Sequence, residues 1–383
     1  MTDQSIGMAF VTTAEDRAHL KRALQLAERG RGRVSPNPLV GAVIVGDGET
    51  LGEGHHAELG GVHAEVAALA DCRARGHDPA GTTMYVSLEP CAHRGRQPPC
   101  TDAILAAGIA RVVIAADDPS EKASGRGPGI LRDEAVEVGF AEGREAALAR
   151  LANQPFRKHA RTGRPLVTLK SALSLDGFTA TASGESKWIS GAGSRALVHA
   201  WRAESDAVAV GIGTALADDP LLTARDLAAP CPRQPARVVF DSGARLPLDS
   251  KLIGSLAEAP LYVVVAAGTP APGRVEALRE AGAEVIEVPG ERPARVGAAL
   301  DDLGRRGIGS ILLEGGATLA GAFLDAGELD ELRLFLAPVL LGAGRALIAG
   351  HGAEAVAGGE RLLAFDWERS GEDLLIRGRL REW

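Results

Sequence analysis

The sequence predicts an α/β protein built from two successive domains. Its 383 residues exceed the usual size of one domain. Short apolar runs alternate with amphipathic segments from about residue 39 onwards, which indicates helices covering a largely parallel sheet. A stretch rich in Arg, Gly and Pro, at 151–164, interrupts this alternation. We therefore expect a first domain over residues 1–150, a linker over 151–164 and a second domain over 165–383.

The first domain is predicted to open with a helix. Thr12 and Glu15 fit a capping box, apolar residues recur with helical spacing from Leu20 to Ala27, and Gly30 is a plausible stop. A rigid Ser-Pro-Asn-Pro segment follows, and Gly-Asp-Gly at 46–48 predicts a hairpin turn. The remaining predicted elements are strands at 39–45, 49–54, 83–88 and 111–116, and helices at 64–75 and 101–107.

The second domain repeats the alternation of strands and helices. Its predicted strands lie at 166–171, 206–210, 237–240, 261–266, 284–288 and 310–313. Its predicted helices lie at 193–203, 273–281, 294–304 and 317–326. Two late apolar runs, at 332–336 and 374–380, predict antiparallel strands.

The composition argues against several functional classes. The net charge is −8 and aromatic residues make up 4% of the chain, so we expect neither a basic surface nor many platforms for stacking bases. Four cysteines are too few for a disulfide scaffold. The first residues lack a basic segment followed by an apolar one, and no apolar run reaches membrane-spanning length. We expect a cytoplasmic protein that binds neither nucleic acid nor membranes.

One set of residues has the composition of a zinc deaminase site. Such a site needs one His and two Cys on the metal, and a Glu that is not a ligand but moves protons. His63, Cys91, Cys100 and Glu65 supply these four parts, in an order that places each after a predicted strand or at a helix start. A lone His-x-Glu or a lone Cys means little, but the combination predicts one Zn²⁺ per chain with Glu65 as the catalytic residue. We interpret Cys72 and Cys231 as core residues.

The spacing of the two cysteines separates deaminase classes. Nucleic-acid and nucleoside deaminases usually carry Pro-Cys-x-x-Cys, whereas eight residues separate Cys91 from Cys100. This loop, with the Ser-Pro-Asn-Pro-Leu-Val-Gly-Ala-Val segment at 35–43, His-Ala-Glu-Val at 63–66 and Glu-Pro-Cys-Ala-His at 89–93, resembles the deaminase domain of the bifunctional riboflavin-biosynthesis deaminase–reductases. The resemblance implies a cytidine-deaminase-like zinc domain. In this fold we expect Asn37 and His56 to contact the pyrimidine.

Three segments of the second domain carry a second resemblance. They lie at 165–188, 211–225 and 311–321, and the last one reads as a strand, a glycine turn and a helix start. From physical chemistry alone, this turn either binds a phosphate through its backbone N–H groups or is only a tight strand-to-helix connection. The nearby basic residues either bind phosphate or are solvated. The segments are similar to the reductase domain of the same family, which has a dihydrofolate-reductase-like α/β fold and uses NADPH.

The resemblance implies two sets of residues in the second domain. Those expected to contact the nucleotide are Ala172, Trp188, Thr214, Asp218, Gly316, Ala317, Thr318, Leu319, Ala320, Gly321 and Ala322. Those expected to contact the substrate are Lys170, Ser186, Arg202, Leu222, Arg225 and Glu314, with the arginines on its ribose phosphate because guanidinium groups match phosphate oxygens.

The function implied by the resemblance is bifunctional. The zinc domain is expected to deaminate a phosphoribosylaminopyrimidine, a small molecule, and the second domain to reduce its ribosyl group with NADPH. The oligomeric state stays open. One alternative is a nucleic-acid or nucleoside base deaminase with an appended nucleotide-binding domain. Another is a zinc-stabilised regulator that binds a phosphorylated metabolite, against which Glu65 argues because a structural site needs a fourth ligand instead.

Overall fold

The chain forms two compact units. The structure, a computed structural model, describes residues 12–94, 97–121, 123–187, 189–228, 231, 233–268, 272–291 and 294–383. The first unit runs up to Arg161 and includes Trp383, and the second covers Thr162–Glu382. Among the described residues, no helix is both long enough and apolar enough to cross a membrane.

The first unit is built on a five-stranded sheet in the order β2-β1-β3-β4-β5. Its strands are β1 (Gly41–Gly46), β2 (Glu49–His55), β3 (Thr83–Val86), β4 (Arg111–Ile114) and β5 (Glu137–Phe140). Its helices are α1 (Ala14–Ala27), α2 (Ala64–Ala74), α3 (Cys100–Ala106), α4 (Arg126–Asp133), α5 (Arg144–Ala152) and α6 (Gln154–Thr162). β1 pairs antiparallel with β2 and β3, and β3, β4 and β5 run parallel.

Both faces of this sheet are covered. Alternate residues of β1 point into different cores, because side chains alternate across a strand. Ala42 and Ile44 belong to the core that includes α2, whereas Val43 and Val45 belong to the core that includes α1. The hairpin turn predicted at 46–48 is confirmed, with Asp47 and Gly48 both at positive φ as a two-residue turn requires.

The start of α1 lies one residue later than predicted. Thr13, not Thr12, accepts a hydrogen bond from the Asp16 backbone, and the Asp16 side chain accepts one from Thr13 N–H in return. A capping box depends on the side chain three residues after the cap. Asp16 competes successfully with Glu15 because its carboxylate is also held by Arg111 and Tyr85.

The segment predicted as a linker is largely helical. α5 and α6 cover most of 144–162, and this segment clusters with the first unit as far as Arg161. Its buried residues include Asn153, Gln154 and Arg157, so the apolar periodicity that reveals a helix in a sequence is missing. Arg157 donates to the Asp117 carbonyl and to the Trp383 carbonyl, at 2.8 and 2.7 Å.

The second unit is built on a nine-stranded sheet in the order β11-β10-β9-β8-β12-β6-β13-β16-β15. Its strands are β6 (Leu166–Ser174), β8 (Ala207–Gly211), β9 (Ala236–Phe240), β10 (Leu261–Ala266), β11 (Glu284–Val288), β12 (Ser310–Leu313), β13 (Glu331–Ala337), β15 (Ala364–Ser370) and β16 (Asp373–Arg379). β7 (Phe178–Thr181) and β14 (Gly344–Ala346) form a separate pair. The helices are α7 (Ala192–Glu204), α8 (Ile212–Asp218), α9 (Lys251–Gly254), α10 (Pro272–Glu280), α11 (Ala294–Arg305) and α12 (Ala317–Asp325).

The parallel part of this sheet runs from β11 to β13, and β16 and β15 close it as antiparallel strands. Because the carboxyl ends of parallel strands meet at one edge, the loops after β8, β9 and β12 all open on the same side. The predicted antiparallel pairing of the two late strands is confirmed, with Phe335 opposite Leu375. The α/β class predicted for both domains is confirmed.

Candidate active sites

The three expected zinc ligands converge in the first unit. His63 is the residue immediately before α2, Cys91 follows β3, and Cys100 begins α3. The Nδ1 atom of His63 lies 3.1 Å from the Cys100 sulfur and 3.5 Å from the Cys91 sulfur. All three ligand atoms lie within 4.8 Å of one another. Residues from separate parts of the sequence thus form one compact site.

Close packing of α2 on β2 fixes the position of His63. A Cβ atom at Gly54 would lie 2.3 Å from the Ala68 nitrogen and 2.4 Å from the Ala64 carbonyl oxygen. Only glycine therefore lets the strand approach the first turn of the helix this closely. The helix start that carries His63 and Glu65 is pinned against the sheet.

Glu65 is the second residue of α2 and is 3% exposed. Burial raises the pKa of its carboxyl to about 7, and the Cys100 side chain is within hydrogen-bond reach. As expected, His63 and Glu65 share the helix start, where residues two apart can both face one site. The carboxyl lies beside the ligands without belonging to the three-residue cluster.

The donor set fits zinc. Thiolate and imidazole ligands suit this ion, and three protein ligands leave one tetrahedral position for water, as in catalytic zinc sites. Without the ion, hydrogen bonds from the Cys100 thiol and from His63 lower the pKa of Cys91 to about 4. The Cys100 N–H group, at the start of α3, donates to the Cys91 sulfur at 3.4 Å and also favours a thiolate at Cys91.

Asn37 and His56 form a pair next to the ligands. The Nδ1–H group of His56 donates to the Val62 carbonyl at 3.0 Å, which leaves Nε2 as an acceptor for the Asn37 amide at 3.1 Å. His56 is 3% exposed and its ring lies 5.6 Å from the ring of His63. Both of its nitrogens are bonded within the chain, and the predicted contact between His56 and the pyrimidine stays a prediction. The pairing presents the Asn37 Oδ1 atom as an acceptor.

The loop that carries Asn37 is clamped by a residue of the segment that was predicted to be a linker. The Asn153 side chain accepts a hydrogen bond from Leu39 N–H at 2.7 Å and donates one to the Leu39 carbonyl at 2.9 Å. Both groups are buried. The amide therefore pairs with Leu39 as a neighbouring strand would. A lone Asn between two weakly predicted helices gives no signal of this role.

A buried carboxylate next to Cys91 organises the facing loop. Glu89 accepts hydrogen bonds from the backbone N–H groups of Gly125, at 2.7 Å, and Asp118, at 3.4 Å. Burial raises the pKa of Glu89, and these bonds oppose the rise. The Glu-Pro-Cys segment thus fixes both a metal ligand and the loop after β4.

The second unit contains a cleft of about 770 Å³ at the carboxyl ends of its parallel strands. Most residues expected to bind nucleotide line it: Ala172, Thr214, Asp218, Gly316, Ala317, Thr318, Leu319 and Ala322. Trp188 lies outside the described residues. Ala320 is fully buried, and a Cβ at Gly321 would lie 2.3 Å from the Ala349 carbonyl oxygen. These last two face the protein interior, contrary to expectation, because a helix turns only part of its surface to a ligand.

Five of the six residues expected to bind substrate also line this cleft: Lys170, Ser186, Arg202, Leu222 and Glu314. Arg202 donates from Nε and Nη2 to the two carboxylate oxygens of Glu314, at 2.6 and 2.9 Å. The Lys170 ammonium lies 4.0 Å from the same carboxylate. The pKa of Lys170 is lowered by burial, and that of Glu314 is lowered by Arg202 despite burial. The three side chains are between 11% and 18% exposed and form a cluster with one net positive charge.

Arg225 is placed differently from the expectation. It does not line the cleft, its side chain is 53% exposed, and its Nε atom lies 3.8 Å from the Asp226 carboxylate. Asp226 has a positive φ of 56°, so the chain turns there. The charge pattern of the sequence does not reveal this turn.

The cleft includes residues that the sequence analysis missed. Ser242, Arg245 and Arg295 line it, as do Arg195 and Arg345. Ser242 and Arg245 follow β9, so the rule that ligands bind beyond the carboxyl ends of parallel strands gives a usable signal for them. Cys231, which we assigned to the core, is only partly buried, whereas Cys72 is fully buried.

Comparisons with known proteins agree with both halves of the chain. Residues 13–116 match the family model for the cytidine and deoxycytidylate deaminase zinc-binding region, and residues 165–376 match the RibD C-terminal domain. A protein of Actinobacillus pleuropneumoniae named riboflavin biosynthesis protein RibD is 39% identical over 368 residues, which cover 95% of each chain. Its namesake in Escherichia coli K12 is 40% identical over 373 residues, covering 94% of this chain and 98% of the relative.

Solved structures give the same result. Acinetobacter baumannii RibD superposes with a TM-score of 0.84 at 38% identity, covering 96% of this chain and 99% of that one. A Thermotoga maritima diaminohydroxyphosphoribosylaminopyrimidine deaminase/5-amino-6-(5-phosphoribosylamino)uracil reductase superposes with a TM-score of 0.82 at 34% identity, with coverage of 96% and 99%.

The fold and the two sites define an enzyme in which a zinc-type deaminase domain is fused to a reductase domain. The chain belongs to the family of bifunctional riboflavin-biosynthesis deaminase–reductases. The expected fold order and the resemblance are both confirmed.

Proposed function

We propose that the chain catalyses two consecutive reactions on one small molecule. The first unit hydrolyses the 2-amino group of 2,5-diamino-6-(5-phosphoribosylamino)pyrimidin-4-one. The second reduces the ribosyl group of the resulting uracil to ribityl. The observation that carries the proposal is the convergence of His63, Cys91 and Cys100 beside the buried carboxyl of Glu65.

His63, Cys91 and Cys100 would hold one zinc ion per chain. Zinc bound at three such ligands activates water for attack on an amidine carbon. Glu65 would take one proton from the attacking water and pass it to the ring nitrogen. It would then take the remaining proton of the new hydroxyl group and pass it to the amino group, so that the C–N bond breaks, ammonia leaves and a carbonyl forms. Its burial supports this role, because a carboxyl with a raised pKa holds and releases protons near neutral pH.

Asn37 positions the pyrimidine. Its amide nitrogen is held by His56, so its Oδ1 atom faces away from that bond and can accept from a ring N–H. His56 is a positioning residue in this scheme. Asn153 supports the same loop from its other end.

In the second unit, the loop after β12 and the first turn of α12 would hold the cofactor. NADPH supplies the hydride that reduces C1′ of the ribosyl group. Lys170 and Arg202 face the phosphoribosyl group, and Glu314 is fixed between them. The net positive charge of this cluster supports binding of a phosphorylated substrate. Because Arg225 does not line the cleft, it would contact the substrate phosphate only from outside the cleft.

We further propose that the two activities reside in separate units. A fragment that ends at Arg161, rather than near 150, keeps α6 with the unit to which it belongs. The substrate is a small molecule, and no nucleic acid or membrane takes part in this scheme, which operates in the cytoplasm.

A product analysis tests the proposal. Purified protein is incubated with the diaminopyrimidine phosphate, with and without NADPH, and the products are identified by mass. We expect the deaminated pyrimidine without NADPH, and the deaminated and reduced product with it. Deamination of a tRNA or single-stranded DNA oligomer instead would contradict the assignment.

A further inference from the structure

One buried carboxylate of the second unit has no part in the function described so far. Asp373 begins β16 and is 2% exposed. Its Oδ2 atom accepts hydrogen bonds from the Gly191 backbone N–H at 2.8 Å and from the Ser194 hydroxyl at 2.6 Å. We propose that Asp373 is a positioning residue for the reductase reaction, because it fixes the start of α7 and, through it, one wall of the cleft. This inference rests on the proposed reductase function.

The start of α7 obtains from Asp373 what its own sequence does not supply. Its N-cap residue is Gly191, which has no side chain, and no side chain of the helix itself caps the first turn. In a capping box, an acidic residue of the first turn accepts from the N-cap N–H group. Here a residue from the far end of the second unit accepts that bond, and the positive end of the helix favours its carboxylate. The Ser370 hydroxyl, at the end of β15, lies 3.0 Å from that of Ser194 and adds a third polar contact.

α7 has a buried face and a face towards the cleft. Its buried residues are Ser194, Val198 and Trp201. Arg195 and Arg202 lie about two turns apart on the helix, and both line the cleft. A displacement of α7 along its axis would therefore move both guanidinium groups relative to the rest of the cleft.

The packing of α7 does not by itself fix the helix along its axis. Its buried face packs on an apolar cluster that includes Leu312 of β12, Phe335 of β13 and Leu375 of β16, and the Trp201 and Phe335 rings stack with 5.3 Å between their centroids. Apolar contacts are non-directional, so they hold the helix on the sheet without selecting one axial position. The hydrogen bonds to Asp373 are directional and join the first turn to a single residue of β16.

The same hydrogen bonds fix the segment that precedes α7. This segment follows β7, and its residues Ser186 and Ser190 line the cleft. Arg195 donates from Nη1 to the Ser190 carbonyl at 2.6 Å, which joins the segment to the first turn of the helix. Gly191, the next residue, is the one whose N–H group Asp373 holds. Loss of the carboxylate would release the segment and the helix start together.

The groups positioned in this way are mainly those expected to bind substrate. Ser186 lies in the segment, and Arg202 reaches Glu314 from α7 at 2.6 and 2.9 Å. Most residues expected to bind nucleotide lie on α8 and at the start of α12 instead. A displaced α7 should therefore weaken the binding of substrate more than the binding of cofactor.

Steady-state kinetics of the full-length protein test this inference. The substrate is the deaminated pyrimidine, so that the reductase reaction is measured alone. We expect Asp373→Ala to raise the KM for this substrate about tenfold, because it leaves two buried donors without their charged acceptor. The kcat and the KM for NADPH should stay within about threefold, and deamination should not change. Asp373→Asn keeps an acceptor oxygen, so its KM should lie between those of the wild type and of Asp373→Ala.

The matched control is Val198→Ala, which weakens the apolar packing of the same helix and leaves the contacts of Asp373 in place. It should lower the denaturant midpoint of the second unit but keep the KM within about twofold of the wild type. Glu372→Gln, at the exposed neighbouring position, should change neither quantity. A KM raised equally by Val198→Ala and Asp373→Ala, or a wild-type KM in folded Asp373→Ala, would mean that Asp373 is only structural and would overturn the inference.

Ser194→Ala keeps the test decisive if Asp373→Ala does not fold. It removes one of the two donors, so we expect a smaller rise in the KM for the pyrimidine, of about threefold, with kcat retained. An unchanged KM in folded Ser194→Ala would contradict the inference. If the wild type does not reduce the deaminated pyrimidine at all, the proposed reductase function fails instead.

Discussion

The two candidate active sites draw their residues from stretches of sequence of very different length. The residues proposed for the deaminase site come from positions 63–100. His63, Glu65 and Cys100 lie at helix starts, and Cys91 lies in the loop between β3 and α3. The reductase cleft draws its lining from position 170 to position 345, and from many elements. The proposed zinc site relies on three side chains, whereas the cleft of the second unit is lined by residues from many elements. Single substitutions should therefore abolish the first activity more readily than the second.

The most severe test of this contrast is Cys100→Ser. Loss of one thiolate from a three-ligand site should remove the zinc and reduce deamination below detection, because metal and activity depend on the same group. Reduction of a substrate that is already deaminated should continue. Zinc content and both activities are measured on one preparation. Cys231→Ser, a thiol outside the cluster, is the control, and full zinc occupancy in Cys100→Ser would contradict the ligand assignment.

Glu65→Gln should separate the metal from the chemistry. The amide keeps the shape of the side chain but cannot accept the proton, so deamination should fall about 10²-fold or more while zinc stays bound. Steady-state kinetics together with metal analysis check this outcome. Near wild-type deamination in this variant would show that another group moves the proton.

Arg202→Ala tests the two-point ion pair between Arg202 and Glu314 in the cleft. It leaves the buried Glu314 carboxylate with Lys170 as a distant partner, so we expect about 10²-fold lower reductase activity. We also expect a loss of about 3–5 kcal/mol in the stability of the second unit. Deamination should be unchanged. The double variant Arg202→Met/Glu314→Leu should recover stability but not activity, and recovered reduction would mean that the pair is purely structural.

Asn153→Ala should have a moderate effect confined to the first unit. The variant leaves the buried N–H and carbonyl groups of Leu39 without partners, at a cost of about 1–3 kcal/mol, and loosens the loop that carries Asn37. We expect about tenfold lower kcat/KM for deamination, with zinc retained. Asn153→Asp keeps only the acceptor, so its kcat/KM should lie between those of the wild type and of Asn153→Ala. Unchanged kinetics in Asn153→Ala would separate the clamp from substrate positioning.

The smallest effect on activity is expected at Asp16, where the readout is stability against pH. Burial alone would raise the pKa of Asp16, but hydrogen bonds from Arg111 and Thr13 outweigh it and hold the pKa well below its usual value. A depressed carboxyl pKa adds stability above the ordinary pKa of 3.8, and this stability is lost as the pH falls below it.

Asp16→Asn should therefore destabilise the first unit by about 3 kcal/mol at pH 7, and the gap to the wild type should shrink below about pH 4. Denaturant unfolding of the variant and the wild type across this pH range measures the difference in their free energies of unfolding. Glu137→Gln removes the exposed partner of the same arginine and should cost less than about 1 kcal/mol. A gap that does not change with pH would exclude the ion pair as its cause.

The same difference in sequence separation explains which features could be predicted from the sequence and which could not. The expected zinc ligands and Glu65 were recognisable from their order and spacing along a short part of the sequence, with His63, Glu65 and Cys100 at helix starts. Most of the parallel strands were predicted, since apolar β-branched runs encode them locally, but the short β5 was not. The capping residue of α1 was misplaced by one position because tertiary contacts of Asp16 decide it.

Other features depend on contacts that no short segment records. α6 escaped prediction because its buried residues are polar and find partners far along the chain. Arg225 was placed in the substrate site from the resemblance, whereas its side chain is 53% exposed and does not line the cleft. The cleft lining at Ser242 and Arg295 combines residues that are 53 positions apart. Only the strand order brings them together.

The pairing of α6 with Trp383 has a consequence for synthesis. Arg157 and Gln154 donate to the carbonyl of Trp383, 226 and 229 positions later in the chain. At the usual rate of translation, these buried polar groups wait on the order of 10–45 s for their partner to be made. The first unit therefore completes its hydrogen bonds only after the whole second unit has left the ribosome. A chain truncated before residue 383 would lack these hydrogen bonds in the first unit, although the residues removed follow the second unit in the sequence.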